Sequence, residues 1–160
     1  MIALAWVLLL GLLTVYFGGF LERQHNPNQR IASTVLSDGA REVVLKQNRS
    51  GHYVASGAIN HEPVVFLLDT GATTVSVPAA LADRLDLPRG APVPAETAAG
   101  VITTYSTRLD RVTLGNIVLY DILAHINPKA RGEEVLLGMS FLKHLELRQQ
   151  GDTLTLRQRP

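Results

Sequence analysis

Val64-Val65-Phe66-Leu67-Leu68-Asp69-Thr70-Gly71-Ala72 decides how this chain is read. Five apolar residues in a row, without alternation, predict a short strand covered on both faces. The run ends in an aspartate followed two residues later by glycine, so a carboxylate stands where a buried strand breaks into a tight turn. An acid so placed can be held rigidly and still face a substrate, which makes Asp69 the first candidate for catalysis. A second apolar run ending in glycine, Val135-Leu136-Leu137-Gly138, is followed by the helix-like stretch Met139 to Leu145.

Strand signals dominate the sequence between these two elements and around them. Short apolar or β-branched runs alternate with turn residues every ten or so positions, the pattern of an all-β barrel or sandwich. Arg41 to Gln47 and His52 to Ile59 flank Asn48-Arg49-Ser50-Gly51 and read as a hairpin. After the Asp69 turn, Thr73 to Val77 is extended, and Pro78 opens a short helix over Ala79 to Leu85. Ala91 to Ala99 is poor in large apolar residues and predicts a mobile hairpin with Gly100 near its tip. Arg108 to Leu114 pairs with Ile117 to Ile126 around Gly115-Asn116, and Leu145 to Gln149 pairs with Thr153 to Arg157.

At the N-terminus, Ile2 to Leu21 contains no charged residue and is long enough to cross a hydrocarbon core of about 30 Å as a helix. It lacks the basic n-region and the Ala-x-Ala site of a cleaved signal peptide, so an uncleaved anchor is expected. The chain thus divides into an anchor at 1–21, a polar linker at 22–40 and one domain at 41–160. Net charge is +1, there is no dense basic block, and aromatic residues are few. A nucleic-acid binder is excluded on that footing. There is no cysteine, so disulfides and thiolate zinc sites are excluded too. The five histidines lack metal-ligand spacing, no phosphate loop is present, and neither cofactor nor metal is expected. Ser140 lacks the glycine pattern of a nucleophile elbow and reads as an early helix residue.

Asp69-Thr70-Gly71-Ala72 together with Leu137-Gly138 resembles the retropepsin-like, retroviral-type aspartic proteases, and within them the bacterial single-lobe, membrane-anchored members. The resemblance runs from Gly51 to Leu156. It implies a single-lobe acid-protease barrel with one or two short helices behind a transmembrane helix. It further implies Asp69 as catalytic carboxylate, Thr70 bonded across a dimer axis, Gly71 and Ala72 completing the loop, and Leu137-Gly138 crossing beside it. Ala99, Gly100 and Val101 would form the flap, within Glu96 to Tyr105. Tyr105 itself reads as a half-buried strand residue.

Peptide hydrolysis by this chemistry needs one carboxyl group to take a proton from water and another to give one to the carbonyl oxygen. Asp38, Asp83, Asp86, Asp110, Asp121 and Asp152 all lie in polar or turn contexts outside any Asp-Thr/Ser-Gly, so the second group is expected from a second copy. The expected activity is that of a homodimeric endopeptidase acting on a peptide or protein. The alternatives are a non-catalytic peptide-binding or dimerisation module and a protease that processes only itself. Charges flanking the anchor set orientation weakly. The resemblance favours the bacterial inner membrane with the domain on the periplasmic side.

Overall fold

The computed structural model describes residues 2–97 and 100–160. The first helix, α1, spans Ile2–His25. It outruns the expected anchor by one turn, because Glu22 to His25 are adequate helix formers, and it ends where Pro27 disfavours helical geometry at Asn26. The stretch Trp6–His25 is apolar enough to cross a membrane, and its side chains are exposed rather than packed on the domain.

The strands that follow are β1 (Ala32–Val35), β2 (Arg41–Lys46), β3 (Val54–Ile59), β4 (Glu62–Leu68) and β5 (Val75–Pro78). After the short helix α2 (Ala79–Arg84) come β6 (Pro92–Thr97), β7 (Gly100–Leu114), β8 (Ile117–Asn127) and β9 (Val135–Leu137). A one-turn helix, α3 (Met139–Leu142), precedes β10 (Glu146–Gln150) and β11 (Thr153–Gln158). They form two sheets, one ordered β1-β2-β11-β10 and one ordered β3-β4-β9-β5-β8-β7-β6. The larger sheet closes on itself, since β3 pairs with β4 on one side and with β7 on the other through Ala58–Thr113 and Ile59–Val112. The fold is therefore an all-β barrel with β6 extending beyond it, as the strand pattern predicts.

One core serves both sheets. Phe66 of β4, Phe141 of α3, Leu109 and Leu114 of β7, Ile126 of β8 and Leu156 of β11 are fully buried in it. Truncating an aromatic ring at such a position costs about 3–5 kcal/mol, so Phe66 firmly ties down the strand that carries Asp69.

Two expectations do not hold as read. Arg41–Gln47 and His52–Ile59 do not pair: β2 joins β1 and β11, whereas β3 joins β4 and β7. Their connecting turn closes through Asn48 N–H on the His52 carbonyl, and the chain then parts into different sheets. The side chain of Asn28 sits in the split. Its carboxamide donates to the carbonyls of Lys46 and Val54 and accepts from Lys46 N–H, at 2.9, 2.7 and 2.8 Å. The stretch 22–40, read as a linker, is split: 22–25 continue α1, and from Asn26 onward the chain is part of the folded unit. Asn26 and Asn28 are buried, Asn28 bridges to Ala55, and β1 pairs with β2 along its length. A buried carboxamide satisfies backbone groups at a sheet boundary that water would otherwise have to reach.

Candidate active site

Asp69 leaves β4 into a loop whose backbone is bonded on every side. Its N–H donates to the Leu137 carbonyl of β9 at 3.2 Å, and its own carbonyl accepts from Ala72 N–H at 3.2 Å. Its carboxylate Oδ1 accepts the Gly71 N–H at 2.8 Å, which fixes the rotamer and leaves the half-buried group facing out of the loop. Thr70 is exposed beside it.

The floor beneath the loop is β9 and the start of α3. Met139 N–H donates to the Ala72 carbonyl at 2.8 Å and Ser140 N–H to the Thr73 carbonyl at 3.0 Å. Ser140 Oγ accepts from Val75 N–H at 2.9 Å and donates to the Leu123 carbonyl at 2.8 Å, so one hydroxyl joins α3, β5 and β8. Gly138 is required by proximity. A Cβ there would lie 2.3 Å from the Thr74 carbonyl oxygen and 2.6 Å from that of Ala72, nearer than any side chain can sit.

A cleft of about 440 Å³ opens next to the loop. Gly71 to Thr74 and Leu136 line its floor side, and Pro94 to Thr97 with Ile102 and Thr104 line the opposite side. That second wall is the β6–β7 hairpin, whose strands pair from Pro92–Tyr105 out to Thr97–Gly100 at the tip. Val101 is 70% exposed there. Ala99, the remaining expected flap residue, lies outside the described residues. Tyr105 is half-buried at the root of the hairpin, with the Arg89 guanidinium 6.0 Å from its ring centre, and it packs against the core rather than lining the cleft.

The structure brings Asp69, Thr70, Gly71, Ala72, Leu137 and Gly138 together as one unit and sets Gly100 and Val101 on the hairpin across from it. Two contributors escaped the sequence reading. Ser140 is the tie beneath the loop. His125 of β8 lines the cleft with Ser76 and Asn127, and its ring Nδ1 lies 3.4 Å from Thr74 Oγ1. Burial pushes the imidazole below its ordinary value, favouring the neutral ring. The alternation of β8, with Ile122, Ala124 and Ile126 buried, already put His125 on the opposite face.

A barrel carrying one Asp-Thr-Gly loop under a hairpin defines a retropepsin-like aspartic protease fold, and comparison with known proteins agrees. The chain belongs to the family described as "gag-polyprotein putative aspartyl protease", whose model matches residues 55–144. A Sinorhizobium protein described as an uncharacterized protein in the cobV 5' region is 31% identical over 131 residues, a match that takes in 78% of this chain and 56% of that one. Among solved structures, a retropepsin-like aspartic protease from Rickettsia conorii superposes with a TM-score of 0.61 at 21% identity, over 81% of this chain and 95% of that one. EIAV protease complexed with the inhibitor HBY-793 is also similar, with a TM-score of 0.48 at 24% identity over 62% of this chain and 92% of the other.

Proposed function

We propose that the protein is a membrane-anchored aspartic endopeptidase, active as a homodimer in which Asp69 of each copy joins a pair that activates water. The observation that carries this reading is the single Asp69 loop, held by backbone bonds, whose Gly71 to Thr74 line a cleft next to the carboxylate with a hairpin for its far wall. Two carboxylates close enough to share a proton suit the reaction, because one withdraws a proton from the attacking water while the other protonates the carbonyl oxygen. An extended peptide fits between loop and hairpin, where strand-like backbone bonds hold it and alternate side chains enter pockets. The exposed apolar helix α1 supports an anchor, and the bacterial inner membrane with a periplasmic domain is the location we favour.

Self-processing within the linker, residues 22–40, is the weaker reading. A protease cleaves extended, accessible chain, whereas Asn26 and Asn28 are buried and bonded to Ser56, Lys46 and Val54. A non-catalytic module is disfavoured by the intact carboxylate and its ordered loop.

The test is Asp69→Asn, which removes ionisation with almost no change in volume. Incubated with a diverse peptide mixture, the wild-type chain should cleave and the variant should not, with both giving the same circular dichroism. Equal cleavage by a folded variant would remove Asp69 from the reaction.

A further inference from the structure

Among the described residues, no free tether separates α1 from the domain. Trp6–His25 is exposed along its length, so the helix projects outward and meets the domain only through its last turn. There the His25 carbonyl accepts from the Asn48 carboxamide at 2.9 Å, and the His25 ring pairs with the Glu134 carboxylate. Asn26 and Asn28 are buried in the folded unit directly afterwards. The last apolar residue of the helix is Leu21, four residues before His25, a rise of about 6 Å. The polar layer on each side of a bilayer is about 5–8 Å deep, the remainder when about 30 Å of hydrocarbon is taken from about 40–45 Å overall. An anchor ending at Leu21 therefore sets the attachment point of the domain at the outer boundary of the headgroups, without slack.

The side chains around that point carry an excess of unpaired positive charge. Arg23 is on the last turn of α1, and Arg49 follows Asn48 in the turn bonded to His25. Lys129 and Arg131 belong to the β8–β9 loop that ends in Glu134. Asn127 Oδ1 shapes that loop by accepting the N–H groups of Lys129 and Ala130 at 2.8 and 3.1 Å. All four cations are exposed, and none makes an ion pair among the described residues. The acids of the same loop are already used, Glu133 on Arg84 and Glu134 on His25. The opposing acids are Glu22 of the helix and Asp152, whose carbonyl accepts the Gln47 N–H beside the turn. Attraction to a charged surface fades over about 8 Å at physiological ionic strength, so charge fixed at this end of the domain counts far more than charge elsewhere.

We propose that the end of the domain around His25, bearing Arg23, Arg49, Lys129 and Arg131, docks on the anionic headgroups of the bilayer that α1 crosses. This rests on the reading of α1 as an uncleaved anchor. The helix fixes the height of the domain but lets it rock as the helix tilts in the bilayer. The cations select the tilt that turns this end onto the lipid. The same β8–β9 loop joins Asn127 to Leu136, both of which line the cleft, so docking holds the cleft within one loop of the membrane surface.

The chain has no cysteine, so a single introduced thiol places one fluorophore. Ser50 is exposed next to Arg49. Ser37 is exposed in the turn between β1 and β2, at the other end of β2 and about 17 Å of strand away. The full chain carrying Ser50→Cys or Ser37→Cys is labelled and reconstituted in vesicles of phosphatidylcholine alone or with one third phosphatidylglycerol, and quenching by a nitroxide on the lipid headgroup is measured. Quenching at position 50 should rise at least threefold with phosphatidylglycerol and fall back in about 1 M salt, where the screening length shrinks to about 3 Å. Quenching at position 37 should change little between the two lipids. Arg49→Gln, Lys129→Gln and Arg131→Gln combined should abolish the phosphatidylglycerol effect at position 50, with an unchanged circular dichroism spectrum. Quenching at position 50 that ignores phosphatidylglycerol, or that the folded triple variant retains, would overturn the docking. Washing with alkaline carbonate tests the anchor separately. A chain stripped from the vesicles by that wash, yet showing the lipid-dependent contact before it, would sink the anchor and leave the cationic face standing. A chain that resists stripping but lacks the contact would do the reverse.

Discussion

The loop that begins at Asp69 and the β6–β7 hairpin line one cleft, through Gly71 to Thr74 and Pro94 to Thr97, and are built in opposite ways. The loop is bonded to β9 and α3 through backbone groups, with Gly138 pressed against its carbonyls and Ser140 joining α3, β5 and β8 below it. Among the described strands β6 pairs with β7 alone, its outermost pair being Thr97–Gly100, and a Cβ on Gly100 would meet no described atom within 4 Å apart from its chain neighbours. We read the difference as that of a fixed floor and a wall free to move, which the proposed reaction would need. A reacting carboxylate must be placed to a fraction of an ångström, whereas a peptide has to be admitted and released.

Substitutions that invade the floor should hurt most. Gly138→Ala pushes a methyl group into backbone carbonyls that cannot swing aside, so we expect a loss of about 3 kcal/mol or more, with cleavage lost as well. Denaturant titration measures it, and a variant as stable as wild type would mean the loop is not rigid. Ser140→Ala leaves Val75 N–H and the Leu123 carbonyl without their partner, costing about 1–3 kcal/mol. Its midpoint should fall in the same titration.

On the movable wall the outcome should reverse. Val101 is largely exposed, so Val101→Ala should change stability by no more than about 0.5 kcal/mol while raising KM for a peptide. Hydrogen exchange sharpens the contrast: residues 100–105 should exchange faster than 135–142 in the free protein and gain protection with a peptide-like inhibitor bound. Equal rates in both regions, unchanged by the inhibitor, would erase the distinction.

The smallest effect concerns His125, on the cleft wall between the two regions, where Glu96 is the other titratable side chain besides the loop itself. Burial favours the neutral ring, so the unfolded chain takes up a proton first as pH falls below about 6.5. Stability contributed by the neutral ring is complete above that pH and declines below it. His125→Asn should flatten the fall in melting temperature between pH 7 and 5. An unchanged slope would show that the ring is not desolvated.

Much of this was legible from the chain. Val64 to Leu68 is the strand its apolar run predicts, and the Asp69 turn follows where that run stops, but it is not covered on both faces: Val64 and Phe66 enter the core while Val65 and Leu67 on the other face, and Leu68 at the end, stay half-buried. The β7–β8 and β10–β11 hairpins were visible because their turns and alternation are local. The β2–β3 connection misled for the same reason: two strands around a turn look alike whether they pair or part. Asn26 and Asn28 resemble solvated linker residues in sequence, and only the sheet boundary they fill shows why two carboxamides are buried. Ser140 and His125 act through residues 17 to 65 positions away, a separation no local pattern carries.

The central claim is that the reaction needs Asp69 from two chains, and subunit mixing tests it most directly. Wild-type chain is held at constant concentration under exchange conditions while Asp69→Asn chain is added in excess, and cleavage of one peptide is followed. Activity should fall as mixed dimers form, approaching zero at large excess, and specific activity of the wild type alone should drop on dilution. Activity indifferent both to dilution and to the added variant would place the second catalytic group in the same chain and contradict the account.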